Sequence, residues 1–106
     1  MSGKTEGKCK DWKAWHDNQP PGPARLYVTG KCTFPTSGYK VELKPRVPQG
    51  INPAIYILDK VVQKPSGPAS DVVTTVEVRY EEKTSKHYTE VNILPDDVHV
   101  NVKEVQ

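Results

Sequence analysis

Five side chains carry most of the chemistry this chain could offer: Cys9, His16, Cys32, His87 and His99. Thiolate and imidazole are the ligands of zinc and copper, so such a set first suggests a metal centre or a redox-active thiol. The spacing speaks against both. No two cysteines stand two residues apart, nothing resembles a helix carrying paired histidines, and His99 falls on the outward side of its strand while His87 ends a turn. The expectation is no metal and no cofactor. A Cys9–Cys32 bridge would stabilise the fold by about 3 kcal/mol by closing a loop of this length. Cys32 shares a face with Val28 and Phe34, however, and the first ten residues lack the apolar core of an export signal. Both cysteines are therefore expected reduced, Cys32 in the core and Cys9 exposed.

Catalytic sets are absent at this level. There is no nucleophile elbow and no phosphate-binding glycine loop. Ser37, Ser66, Ser70 and Ser85 sit in turns, where serine is expected for backbone reasons, and Asp96-Asp97 is turn chemistry as well. A non-enzymatic protein is the expectation. Nucleic acid is not an expected partner. The net charge is +2, Glu42 and Asp59 interrupt the row Lys40, Lys44, Arg46, Lys60 and Lys64, and no aromatics interleave with it. Nor is a membrane expected, since no apolar run approaches the roughly 20 residues a spanning helix needs. Without a leader the compartment expected is the cytoplasm.

The elements that must hold these residues are strands. Of the 106 residues 14 are Val and 4 Ile, against 4 Leu and 1 Phe, a β-branched excess that suits pleated sheet. Around Arg25 to Val47 two alternating runs flank Pro35-Thr36-Ser37-Gly38 and read as a half-buried antiparallel hairpin. Leu26, Val28, Cys32 and Phe34 share its buried face with Tyr39, Val41, Leu43 and Val47. Further strands are expected over Ala54 to Val62, Asp71 to Lys83, Tyr88 to Leu94, and Val98 to Lys103. The six strands imply an all-β domain: a small antiparallel β-sandwich, immunoglobulin-like in outline, or alternatively an open barrel. Residues 25–106 form this body. Residues 1–24 are expected to be a partly disordered arm with a short helix over 9–17, because Cys9, Trp12 and His16 recur at intervals of three and four. Pro20-Pro21-Gly22-Pro23 would then be an extended connector.

One stretch has a relative in kind. Phe34-Pro35-Thr36-Ser37-Gly38-Tyr39 resembles the Asn-Pro-Thr-Thr-Gly-Tyr loop of chagasin-type cysteine-protease inhibitors, departing from it at Phe34 and Ser37. The resemblance covers six residues and implies an immunoglobulin-like domain in which Thr36, Ser37, Gly38 and Tyr39 would enter a protease cleft. That family's glycine-rich loop and its Arg-Pro-aromatic loop have no counterpart here.

The leading functional expectation is a non-enzymatic protein-interaction module. Trp12 and Trp15, the only tryptophans, together with Thr36, Ser37, Gly38 and Tyr39, are the expected partner-binding residues, and the Gln49–Asn52 and Ser66–Ala69 loop tips extend that surface. The competing account of the indoles is that they fold back and plug an open end of the body, leaving His16 at the edge. A cysteine-protease inhibitor is the first alternative, and a metal or redox-linked binding domain the second.

Overall fold

Most of the runs that alternate with a period of two become strand. The computed structural model describes residues 7–68 and 70–105, and among them are seven strands and no helix. They are β1 (Lys8–Asp17), β2 (Arg25–Phe34), β3 (Lys40–Pro45), β4 (Ile55–Gln63), β5 (Thr74–Lys83), β6 (Glu90–Leu94) and β7 (Val98–Val105). They form one sheet in the order β3-β4-β6-β7-β1-β2-β5. The sheet curls until its two edge strands, β3 and β5, lie side by side, so that it is nearly closed into a barrel. The protein is all-β, as expected, and of the two arrangements drawn from the sequence the open barrel is the one observed.

Most of the face assignments hold. Leu26, Val28, Cys32 and Phe34 of β2, Val78 of β5, Val91 and Ile93 of β6 and Val100 of β7 are all buried, with Leu43, Tyr56 and Leu58 completing the core. Partners were harder to foresee. Arg25 to Val47 is not a hairpin: β2 pairs along its whole length with β5, from Arg25↔Lys83 to Phe34↔Thr74, while β3 pairs with β4 at the far edge of the sheet. Alternation determines which face is apolar but leaves the neighbour open. The 35–39 turn accordingly arches past the start of β5. Val47, assigned to the buried face, lies beyond the end of β3 and is 90% exposed. Two neighbouring pairs are parallel, β1 with β7 and β4 with β6.

The largest correction concerns the amino-terminal arm. Residues 8–17 are neither arm nor helix but a strand lying between β2 and β7 in the sheet. The register slips between Lys10 and Lys13, and Asp11 takes a left-handed φ of 59°. Such a bulge inserts one residue and restores the alternation beyond it. Cys9, Trp12, Ala14 and His16 therefore share the inward face, and a bulged strand reproduces the spacing of three and then four that suggested a helix. Aspartate is one of the few residues that accept that conformation readily. Met1 to Glu6, the rest of the expected arm, lie outside the described residues, as do Ala69 and Gln106.

The barrel has two ends. Residues 35–39, 64–68, 70–73 and 95–97 close one, the turn end; residues 18–24, 46–54 and 84–89 close the other, the histidine end.

Candidate functional site

At the turn end the reactive groups are already committed. Cys9 and Cys32 face each other across β1 and β2 and are bonded, which overturns the expectation of reduced thiols. The bulge that puts Cys9 on the inward face makes the bond feasible. Lys60, the last fully buried residue of β4, has a side chain only 2% exposed. Its ammonium lies 2.5 Å from Asp96 Oδ2 and 3.3 Å from Cys9 Sγ. The basic row considered above is thereby broken at Lys60, and Arg46 is bound to Asp59.

The chagasin-like turn is secured at the same end. Ser37 N–H donates to Ser70 O, Ser70 N–H donates to Ser37 Oγ, and the half-buried Tyr39 ring stacks on Phe34 with centroids 4.2 Å apart. Gly38 holds a φ of +93°, and a Cβ there would touch the Pro65 ring at 3.0 Å. Glycine is required at that position.

Trp12 and Trp15 point to opposite faces of β1, and the structure does not bring them to the 36–39 turn. Trp12 packs inward over Gly30, where a Cβ would stand 2.3 Å from its ring, and its Nε1 is enclosed without a hydrogen-bond partner. Trp15 lies on the outer surface, stacked 5.3 Å from Tyr27, with the Arg79 guanidinium over the Tyr27 ring. The barrel wall opens beside them. β7 pairs with β6 through Asn101 and with β1 only from Val102, so the starts of β1 and β7 splay apart. The opening is a cleft of about 760 Å³ walled by Trp12, Trp15, Val98, Val100, Asn101 and Lys103.

The histidine end gathers side chains with unspent chemistry. His16, expected at an edge, is wholly buried, and its Nε2 lies 3.0 Å from the carbonyl of Thr84. Its Nδ1 has no hydrogen-bond partner, and Glu104 Oε1 stands 3.6 Å away. His87 comes over from the β5–β6 connection, its ring centroid 4.6 Å from that of His16 and its Nδ1 3.2 Å from both Glu104 oxygens. Asn18 donates to Glu104 Oε1 at 2.7 Å. The hydrogen bond from His87 holds the Glu104 carboxyl below the usual carboxylate range, with Asn18 adding to the effect. His99 belongs elsewhere: its two ring nitrogens face Glu90 and Asp97, and the Glu90 bond above all raises its pKa.

Inside the same end, Tyr56 and Tyr80 both donate to Glu82 Oε1, and Tyr88 stacks on Tyr56 at 4.6 Å. Burial, then the Glu82 bond, pushes the Tyr80 phenol up to about 12 and raises Tyr56 further. Phenols so hard to ionise make poor proton donors at neutral pH, so the group fits a structural plug better than an acid–base pair. Outside it, the Gln49 side chain clamps the 46–54 loop. Gln49 Nε2 donates to Arg46 O and Ile57 O, and Ile57 N–H donates to Gln49 Oε1, an amide standing in for a missing strand. On this clamped loop Val47 is 90% and Ile51 102% exposed.

No family model, no curated protein and no solved structure matches the chain. No helix among the described residues is long and apolar enough to cross a membrane. Of the histidines and cysteines weighed from the sequence, the fold brings His16 and His87 together and takes the cysteines and His99 away. Glu104, Asn18 and the Tyr56–Tyr80–Glu82 group carried no local signal. Their meeting follows from strand order, which alternation does not report.

Proposed function

We propose that the protein is a non-catalytic interaction module that meets a protein partner through the 46–54 loop at the histidine end. The observation carrying this reading is the pairing of full exposure with rigidity. Val47 and Ile51 stand in solvent on a loop that the Gln49 amide fixes at three hydrogen bonds. Isolated exposed aliphatics are ordinary on flexible loops. A preorganised pair loses little conformational entropy on docking, and each side chain has its full apolar area left to bury. The Cys9–Cys32 bond supports an oxidising compartment in place of the cytoplasm expected from the sequence.

The immobilised domain should retain a stoichiometric partner from an extract of its source. A double variant, Val47→Ser with Ile51→Ser, should lose that partner while its stability shifts by less than about 0.5 kcal/mol, as surface changes do. Unchanged affinity in the double variant would refute the assignment. A second reading places an extended peptide in the cleft between β1 and β7, where two strand edges lack partners and Trp15 forms the rim. That reading predicts the loss with Trp15→Ala instead.

A further inference from the structure

We infer that His16, His87 and Glu104 form a zinc(II) site at the histidine end of the barrel. The argument begins with a proton. The Thr84 carbonyl can only accept, so the hydrogen on the His16 ring sits at Nε2. The Nδ1 atom is then a bare lone pair, fully buried and without a hydrogen-bond partner, and it faces a carboxylate oxygen 3.6 Å away. Two acceptors opposed at that distance repel unless something positive lies between them. His99 shows the contrast: each of its nitrogens has its own carboxylate, so a proton satisfies it fully.

A metal ion resolves the conflict with the atoms already in place. Ligands at zinc's usual 2.0–2.1 Å in a tetrahedron stand about 3.3–3.4 Å from one another. Glu104 lies 3.6 Å from His16 Nδ1 and 3.2 Å from His87 Nδ1, and one ligand atom from each residue falls within a 4.8 Å group. His87 is exposed and can turn to close the remaining edge. The outer contacts are those of a built site. Thr84 fixes the His16 tautomer so that Nδ1 points at the ion, and Asn18 orients the Glu104 carboxylate. Two imidazoles and one carboxylate suit zinc, and the cysteines that would favour a softer ion are bonded to each other. Three protein ligands leave the fourth position to water. The ion would join β1, β7 and the β5–β6 connection, three segments distant in sequence, at one point. The inference stands independently of the 46–54 loop.

The test is calorimetric titration of the metal-stripped full chain with zinc chloride in a non-coordinating buffer, alongside thermal melts at rising zinc. One ion per chain with a dissociation constant in the micromolar range or below is expected, with a melting temperature that climbs with zinc concentration. Cobalt(II) in its place should give the visible absorption of a tetrahedral centre. Because His16→Ala opens a buried site, the deciding variants are His87→Ala and Glu104→Gln at the surface. Each should weaken binding at least as much as loss of an outer-shell partner does, about 10–100-fold, while His99→Ala should bind like the parent. Zinc that leaves the melt unchanged, or binding equally tight in His87→Ala and Glu104→Gln, overturns the assignment.

Discussion

The two ends of the barrel have been built on opposite plans. At the turn end the cysteines are bonded to each other, Lys60 is paired with Asp96 and Ser37 with Ser70, and Tyr39 stacks against Phe34. At the histidine end a buried lone pair and two bare aliphatic side chains remain uncommitted. The contrast teaches where to look for function when a chain matches no known protein. Polar groups that satisfy one another mark the half of a fold that holds it together, and groups that are buried yet unsatisfied mark the half with something left to bind.

Three perturbations would break or sharpen that contrast. The largest effect is expected from Asp96→Ala, which strands an almost fully enclosed ammonium. Removing one partner of a buried pair costs about 3–5 kcal/mol, whereas Lys60→Met in the same background should recover most of it, because an apolar replacement of both partners is close to neutral. Urea unfolding of the two variants measures this. If Asp96→Ala is as stable as the parent, the turn end is not the anchor described above. Next comes reduction of Cys9–Cys32, expected to lower stability by about 3 kcal/mol. Hydrogen exchange should then quicken around β1 and the end of β2 while amides near Tyr88 keep their protection. Equal loosening at both ends would erase the distinction. The smallest effect belongs to the tyrosine plug. A phenol raised from 10 to about 12 in the fold keeps its proton while the unfolded chain loses one. Its contribution is therefore complete below pH 10 and disappears as pH climbs through about 12. Alkaline unfolding followed by tyrosinate absorbance should show this loss, and Tyr80→Phe should flatten it.

How far the sequence could be read depended on distance along the chain. Inward and outward positions from Leu26 to Phe34 and from Val98 to Val102 were legible because alternation is a property of neighbours. The partners of β2 were not, since pairing with β5 spans some fifty residues and the intervening turn looks like any hairpin turn. β1 was hidden by one bulged aspartate, which turned a strand period into an apparent helical one. The zinc ligands come from positions 16, 87 and 104, and only the parallel docking of β1 on β7 brings the first and last of them together. Gln49 looked like loop composition; its role as a substitute strand needs the Ile57 backbone beside it.

The position of the disulfide also determines how the fold would carry a mechanical load. Among the described residues β1 and β7 are the first and last strands and run parallel, so tension applied through the flanking segments would shear all their shared hydrogen bonds at once. The bond from Cys9 to Cys32 changes that route. Force arriving at Cys9 passes straight across the bridge into β2, and residues 10–31, including the stretch of β1 that pairs with β7, hang as a slack loop outside the line of tension. An oxidised domain is therefore pulled through Cys32 at the far end of β2, a reduced one through the β1–β7 seam.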